Sequence, residues 1–236
     1  MALVPMLYLQ SRLRLELLRI FYRFTRSLKG AINVLSILFF PGLFLHEVSH
    51  WITAFFLGIR TFKMRVFPEQ QPDGSIPLGY VEMEMPDILR GSFIGLAPLI
   101  AGSTLTWYLG LKVLKLDMLW LALLNERWST YPAKLAELYS GEGYWIWLWG
   151  YVLIAVSIMM VPSDSDLVHP RRLFMITVGL LAIALAAGYS TWILENIVPY
   201  LNDLFRRVSY VFGMSAFLHL LLLFPAVLLR RGLYKA

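Results

Sequence analysis

The sequence predicts an all-α polytopic membrane protein with about five transmembrane helices, an N-terminal amphipathic helix and a small β-hairpin insert. Hydrophobic residues make up 58% of the 236 residues and charged residues only 15%, which is far more apolar than a soluble domain of this length. Long apolar windows alternate with short charged segments. Water is therefore not the main solvent, and we expect an integral, multi-pass protein in the cell membrane of a prokaryote.

The predicted spans are windows that are long and apolar enough to cross a bilayer, which takes about 20 mainly apolar residues. They lie at roughly 31–59, 92–114, 144–162, 173–194 and 208–229. No repeat or long linker divides the chain, so we assign residues 30–236 to a single membrane-embedded domain. In the polar stretch before the third window, residues 118–124 predict a helix at the membrane interface.

The N-terminal segment differs from the spans because basic side chains interrupt its apolar residues at near-helical spacing. This pattern in residues 1–29 predicts an amphipathic helix on the membrane surface. A cleavable signal peptide would place an uncharged apolar run after its basic residues, whereas here they continue up to the first span. We therefore expect the segment to be retained.

A polar insert at about residues 60–87 separates the first two spans. Apolar and polar residues alternate in Lys63–Phe67 and in Tyr80–Met85, and Pro72–Ser75 lies between them. Alternation on both sides of a turn sequence is typical of a β-hairpin. Its exposed edge could pair with an extended peptide. A loop resting on the membrane is the simpler alternative.

The net charge of +6 does not indicate nucleic-acid binding, because the basic residues flank the apolar windows and form no compact patch. Attraction to anionic lipid headgroups explains them. The chain has no cysteine, which excludes disulfides, thiolate metal ligands and a cysteine nucleophile. A metal ion would have to be bound by His, Asp or Glu.

The segment His46-Glu47-Val48-Ser49-His50 is an HExxH motif inside the first apolar window. Residues four apart share one face of a helix, so both imidazoles can reach one ion, while Glu47 lies about 100° further round. Zinc at such a site lowers the pKa of its bound water, and the Glu transfers protons. The alternative is a satisfied polar patch, but ionisable groups at this depth are costly and usually functional. We expect Ser49 and Thr53, on the same face, to be hydrogen-bond partners of the site.

In these features the chain resembles the site-2 protease family of intramembrane zinc metalloproteases. Members carry an HExxH motif in a core transmembrane helix, a membrane-associated β-structure after it, and an Asp near the end of the third core helix that completes the zinc site. The resemblance covers roughly residues 31–170. It implies a zinc metalloendopeptidase that hydrolyses peptide bonds in or near transmembrane segments, in regulated intramembrane proteolysis. It also implies His46 and His50 as metal ligands, Glu47 as the catalytic base and Zn²⁺ as the cofactor.

The third ligand is expected in the segment that closes the third apolar window, Val161–Leu167. The first and third of three successive crossings run in the same direction, so this segment lies on the side of the two histidines. An Asp there completes a two-His, one-carboxylate site, and the segment offers Asp164 and Asp166. The resemblance favours Asp166, because members place the ligand several residues after a proline. Leu167 stands where the family has a glycine, and an ordinary helix end capped by Ser and Asp is the alternative.

Other residues near the spans are assigned no ligand role. His219, alone in the fifth window, predicts a buried structural or supporting residue. Glu195 ends the fourth window, on the opposite side of the membrane from the motif, and His169 predicts an interfacial loop residue. The small residues from Gly91 to Gly102 predict close helix packing, and Pro41 predicts a bend before the motif.

Two other functions are compatible with these residues. An inactive protease-like scaffold or chaperone would keep the fold while the metal site decays, and the departures around Asp166 favour it. A metal transporter could use the same His and Asp residues. The intact HExxH motif favours the protease, whose partners we expect to be transmembrane protein substrates and the lipid bilayer, with no nucleic acid.

Overall fold

The computed structural model describes residues 3–71, 74–118, 133, 136 and 143–235. Its helices are α1 (Leu3–Thr25), α2 (Leu28–Leu38), α3 (Phe40–Phe56), α4 (Ile88–Tyr108, continued by the π-helical Leu109–Val113), α5 (Trp145–Met159), α6 (Val168–Ala186), α7 (Ser190–Asn196) and α8 (Val198–Lys235). The strands β1 (Thr61–Arg65) and β2 (Tyr80–Met83) lie between α3 and α4. A mostly helical fold with a small β insert is thus confirmed. The interfacial helix predicted at 118–124 lies outside the described residues from residue 119 onward.

The first predicted span is broken into α2 and α3, which meet at an angle of 86° around Phe39. The sequence predicted a span over 31–59 with a bend near Pro41; the bend is confirmed, and it is sharp enough to divide the span into two helices. Pro41 lies in the first turn of α3, where its missing N–H is not needed, whereas its ring would clash with the preceding turn if α2 continued. The two helices qualify as a membrane span only together, and the HExxH motif occupies the middle of α3.

Three further helices of the described chain are long and apolar enough to cross a membrane. They are Ile88–Val113, Val168–Ala186 and Val198–Leu233. The helix in the third predicted window, α5, is apolar but has only 15 residues, fewer than the about 20 of a straight span. The fourth window was predicted to end at 194, but α6 ends at Ala186, and Gly188 with a φ of +89° turns the chain towards α7. These helices support a membrane protein, and five crossings stay a prediction.

The N-terminal helix α1 buries one face along its length, mainly against α8. The buried residues, spaced three or four apart, are Met6, Gln10, Leu13, Glu16 and Ile20. Such spacing places them on one side of the helix. Glu16 accepts hydrogen bonds from Arg19 and from Arg230 near the end of α8. The amphipathic pattern thus corresponds to a helix packed on the bundle, and its position at the membrane surface stays a prediction.

The hairpin predicted at about 60–87 is confirmed, with β1 and β2 antiparallel. Lys63 lies opposite Glu82, and the register is irregular between Thr61 and Lys63. Leu78, just before β2, packs against a core cluster of α1, α2, α5 and α8, whereas Met83 at the end of β2 packs against α3 and α4. β2 therefore runs from α5 towards α4, next to the HExxH helix. Residues 72 and 73 of the predicted turn lie outside the described residues.

Glycines let three helices approach closely around the motif. A Cβ added at Gly42 of α3 would lie 2.1 Å from the carbonyl oxygen of Ala155 in α5, and one at Gly102 of α4 would lie 2.2 Å from Cβ of Met160. Neither position has room for a side chain. The close packing predicted for the second window is therefore confirmed, and it brings the end of α5 next to α3 and α4.

Candidate metal centre

Three side chains from two parts of the chain meet beside α3: His46, His50 and Asp166. The two Nε2 atoms are 3.2 Å apart, and Asp166 Oδ2 and Oδ1 lie 3.5 Å from His46 Nε2 and 3.4 Å from His50 Nε2, respectively. Ligand atoms about 2.0–2.2 Å from a zinc ion at tetrahedral angles are separated by about 3.3–3.6 Å. The three side chains therefore have the mutual spacing of ligands in a tetrahedral zinc site.

Backbone carbonyls orient both imidazoles. His46 Nδ1 donates to the carbonyl oxygen of Met159 at the end of α5, at 2.8 Å, and His50 Nδ1 donates to that of Ile94 in α4, at 2.9 Å. A carbonyl oxygen only accepts, so each ring carries a hydrogen on Nδ1 and, when neutral, a lone pair on Nε2. Both lone pairs point towards the space between the two rings and Asp166, which is the arrangement that binding of a metal ion requires.

The hydroxyl groups on the same face of α3 do not orient the imidazoles, contrary to the prediction. Ser49 Oγ donates to the carbonyl oxygen of His46 in its own helix, at 2.7 Å. No hydrogen bond joins Thr53 to either ring within the described part of the chain. A serine hydroxyl can satisfy the backbone of its own helix at this spacing, so the imidazole partners come from other helices instead.

Asp166 is held in the turn between α5 and α6. Its Oδ2 accepts hydrogen bonds from the main-chain N–H of Ser163 at 2.7 Å and from the Ser163 hydroxyl at 2.6 Å. Its carbonyl oxygen lies against Gly95 of α4, where an added Cβ would come within 2.0 Å. Burial acts to raise the pKa of the Asp166 carboxyl, but contacts with His46, His50 and Ser163 outweigh it and hold the pKa well below its usual range. The carboxylate is thus fixed in position and ionised.

The structure distinguishes the two Asp residues between which the sequence left a choice. Asp164 has 93% of its side chain exposed and accepts a hydrogen bond from Arg171 Nη2 at 2.7 Å. The Asp166 side chain is 17% exposed and faces the two imidazoles. The geometry therefore favours Asp166 as the third ligand, and the ligand role itself stays a prediction.

Glu47 lines the same cavity as the imidazoles, and the main chain of Gly79 covers its carboxylate. Glu47 is 4% exposed. A Cβ added at Gly79, directly before β2, would lie 2.6 Å from Glu47 Oε1, so a larger residue there would displace the Glu47 side chain or the hairpin. The hairpin therefore contacts the predicted catalytic base.

A cavity of about 670 Å³ opens onto this centre. Its walls come from α1, α3, α4, the end of α5, the turn before α6, the start of α6 and the hairpin, and β2 contributes all four of its residues. The predicted base and the three predicted ligands line it. An extended peptide in this cavity would therefore lie along β2 and next to Glu47.

The sequence did not identify two of the cavity residues. His169, predicted to be an interfacial loop residue, lies in the first turn of α6 and lines the cavity, so that prediction was wrong. Its ring packs on Gly91, where an added Cβ would lie 2.6 Å from Cγ, and its Nδ1 is buried without a hydrogen-bond partner. Its place about one helical turn after Asp166 is the signal that could have identified it. The second residue, Arg14, comes from the segment predicted to lie on the membrane surface.

Two other residues considered from the sequence lie apart from the centre. His219 is fully buried in α8, with Nε2 3.3 Å from Ser157 Oγ, which agrees with a structural role. Glu195 in α7 is exposed and belongs to no group of potential metal ligands in the described part of the chain.

The assembled side chains form a group that could hold a metal ion. Two imidazoles and one carboxylate can bind a divalent cation, and a second carboxylate lies beside them in the cavity. No family model, curated protein or solved structure matches this chain.

Proposed function

We propose that this chain is a zinc metalloendopeptidase that hydrolyses peptide bonds in or near transmembrane segments of other membrane proteins. The proposal is carried by the spacing of 3.2–3.5 Å between ligand atoms of His46, His50 and Asp166. Without a cation between them, two lone pairs and an anionic carboxylate would repel each other at these distances. A protonated imidazole paired with Asp166 is the alternative, and metal analysis distinguishes the two.

The donor set fits zinc. Imidazole nitrogen and carboxylate oxygen are its usual ligands alongside thiolate, and calcium and magnesium prefer oxygen alone. Catalytic zinc sites use three protein ligands and keep one position open for water or substrate. His46, His50 and Asp166 would hold the ion. When bound, zinc supplies a Lewis acid that lowers the pKa of water and polarises the scissile carbonyl.

Glu47 carries the proton transfers of the proposed reaction. Its carboxylate accepts a proton from the attacking water as the new C–O bond forms, and it returns this proton to the amine nitrogen as the C–N bond breaks. One water is consumed, and a carboxyl and an amino group are produced. The main chain at Gly79 restricts the position of the Glu47 carboxylate. Beside it, β2 offers main-chain groups that can hold an extended peptide.

The surroundings of the site favour substrates from the membrane. The HExxH helix belongs to a broken apolar span, and α4, α6 and α8 are each long and apolar enough to cross a membrane. α6, which begins directly after the Asp166 turn, has no buried residue, so its apolar side chains are available to lipid. A transmembrane segment of a substrate prefers the same environment.

Elemental analysis of the purified protein tests the metal site. We expect about one zinc per chain in the wild type, in Glu47→Gln and in Asp164→Ala, and roughly a tenth or less in His46→Ala and Asp166→Ala. Asp164→Ala is the matched control, since it removes a carboxylate from the same turn without touching the imidazoles. Equal zinc in all the variants, or none in the wild type, would contradict the site.

A cleavage assay in lipid nanodiscs tests the reaction. We expect the wild type to cleave a transmembrane reporter and Glu47→Gln, which keeps its zinc, to lose about 10²- to 10⁴-fold in rate. An inactive scaffold predicts no cleavage by either protein. A metal transporter predicts zinc flux into proteoliposomes that survives the Glu47→Gln substitution.

A further inference from the structure

Arg14 of α1 lines the cavity that contains His46, Glu47 and Asp166. Of the lysines and arginines in the described ranges, it alone lines this cavity. Its Nε is buried without a hydrogen-bond partner, and none of the ion pairs between described residues involves it. Among the residues that the structure describes, the guanidinium thus has no carboxylate partner.

The same helix shows how a buried charge is satisfied elsewhere in this molecule. Glu16, two residues further along, is 3% exposed and pairs with both Arg19 and Arg230. Arg12, two residues earlier, is exposed. Arg14 lies between them, is half-buried, and forms no ion pair with any described residue.

The carboxylates that line the cavity face other groups. Asp166 faces the two imidazoles, Glu47 lies beside them, and Glu82 is opposite Lys63 across the hairpin. The two positive charges of a bound zinc ion would offset the charges of Asp166 and Glu47. The charge of Arg14 is then available to a ligand.

A partly buried guanidinium without a counter-ion is unfavourable, because burial removes water from the charge. Its planar fork binds a carboxylate through two parallel hydrogen bonds, with a directionality that lysine lacks. We propose that Arg14 is a carboxylate-binding subsite of this cavity, which selects peptides with a carboxylate near the scissile bond. The carboxylate is either the C-terminus of the peptide or an Asp or Glu side chain. This inference rests on the proposed peptidase function and deepens it.

The hairpin gives the subsite a position along the substrate. Leu78 packs in the same core cluster as Leu13 of α1, so the beginning of β2 lies on the Arg14 side of the cavity. Met83, at the other end of β2, packs against α3 and α4. An extended peptide along β2 would therefore place its carboxylate towards Leu78, with the scissile bond beside Glu47.

Matched peptides separate the two sources of the carboxylate. One pair differs only in a C-terminal acid or amide, and the other only in Glu or Gln near the bond that the wild type cleaves. For one pair we expect the wild type to prefer the acidic peptide by about 10- to 100-fold in kcat/KM, the effect of one charged hydrogen-bonded contact. Arg14→Gln should reduce this ratio to about one, and Arg14→Lys should restore part of it. Arg12→Gln, the exposed control on the same helix, should leave the ratio unchanged.

The pair whose ratio collapses in Arg14→Gln identifies the carboxylate as C-terminal or side-chain. A ratio near one for both pairs in the wild type would overturn the subsite. A preference for the acidic peptide that survives Arg14→Gln would overturn it as well, because another group would then bind the carboxylate. Zinc content and the thermal unfolding midpoint show that each variant is folded.

A binding measurement makes the test independent of turnover. In Glu47→Gln, fluorescence anisotropy of labelled peptides should give the same preference in Kd, and adding Arg14→Gln should remove it. If the wild type holds no zinc and cleaves nothing, the proposed function fails, while Arg14-dependent carboxylate binding in this assay would still support the subsite. If peptides are cleaved without any carboxylate preference, the subsite alone fails.

Discussion

Single main-chain groups control the side chains of this site. The carbonyl oxygens of Met159 and Ile94 keep the hydrogens of the two imidazoles on Nδ1, and the N–H of Ser163 holds the third predicted ligand. At Gly79 the absence of a side chain has the same importance, because a methyl group there would occupy the place of the Glu47 carboxylate. Backbone atoms of other elements therefore position the two imidazoles and Glu47, whereas a backbone N–H of its own turn holds Asp166.

A methyl group at Gly79 should slow the reaction without releasing the metal. It would lie 2.6 Å from Glu47 Oε1, so the carboxylate or the hairpin must move. We expect Gly79→Ala to keep its zinc and to lose about 10- to 100-fold in kcat, since a small misplacement of a catalytic group has effects of this size. Gly150→Ala is the control, because an added Cβ there meets nothing within 4 Å. Unchanged kcat in Gly79→Ala would show that the hairpin does not position Glu47.

Among the elements, α4 positions two predicted ligands relative to each other, His50 of α3 and Asp166 of the turn before α6. Asp87 caps the N-terminus of α4, where its Oδ1 accepts a hydrogen bond from the main-chain N–H of Arg90 at 2.9 Å. The carbonyl oxygen of Ile94 accepts a hydrogen bond from His50 of α3, and the main chain of Asp166, before α6, packs directly against Gly95. The close approach of α4 to both partners therefore determines the separation of their ligand atoms.

A side chain at Gly95 should weaken metal binding. A Cβ at Gly95 would lie 2.0 Å from the carbonyl oxygen of Asp166, a main-chain atom that cannot move without displacing the carboxylate. We expect Gly95→Ala to lower zinc affinity by about 10- to 100-fold, measured by titration against a competing chelator. Gly179→Ala on α6, where an added Cβ meets nothing within 4 Å, should bind zinc as the wild type does. Equal affinities in the two variants would rule out α4 as the support of Asp166.

The cap of α4 should make stability depend on pH. Hydrogen bonds from the main chain and side chain of Arg90 hold the pKa of Asp87 below its ordinary value of 3.8. A lowered folded-state pKa means that the stabilisation is complete above the unfolded-state pKa and is lost as the pH falls through the folded-state value. We therefore expect the difference in thermal midpoint between wild type and Asp87→Ala to shrink in acid. Asp87→Asn keeps an uncharged cap and should not show this change; a constant wild-type advantage would contradict the prediction.

At the scale of the whole molecule, the described residues combine a buried core that contains several polar groups with many large apolar side chains on the surface. Buried polar residues include Glu16, Glu47, His50 and His219, whereas α6 has no buried residue at all. Lipid is the solvent that such a distribution fits. The first and last helices cover one side of this interior, because α1 packs mainly along α8 and contributes Arg14 to the cavity wall.

The ion pair between these two helices should have an asymmetric effect on stability. Arg230→Ala leaves the Glu16 carboxylate, which is 3% exposed, with Arg19 as its partner. Glu16→Ala leaves the Arg230 guanidinium without this partner, but the Arg230 side chain is 28% exposed and can be solvated. We expect a loss of about 3 kcal/mol for Arg230→Ala and about 1 kcal/mol for Glu16→Ala in unfolding experiments in detergent. Arg231→Ala, at an exposed neighbouring position, should change stability by less than about 0.5 kcal/mol. The opposite order would show that the carboxylate is not the buried partner.

The parts of the site that local periodicity controls could be predicted from the sequence. The helical repeat brings His46 and His50 to one face whatever the fold around them, and alternation predicted the hairpin. The pattern of residues could limit the predicted third ligand only to a segment that contains two Asp residues. Which Asp side chain faces the imidazoles depends on a turn that is held by a hydrogen bond from Ser163. Arg14 and His169 were not identified, since the spacing of residues in the sequence does not show which turn of a helix faces a cavity.

The sequence by itself determined the apolar composition that indicates a membrane protein, the helical class with its β insert, and a helix that carries two imidazoles on one face with a carboxylate beside them. These properties depend on composition and on short-range repeats. Only the tertiary structure decided the break at Phe39, the partner of His46 at Met159, 113 residues away, and the place of Asp166 beside both rings. The physical reason is that such contacts depend on which helices approach closely, and this is settled by glycines and side-chain shapes that meet only after folding.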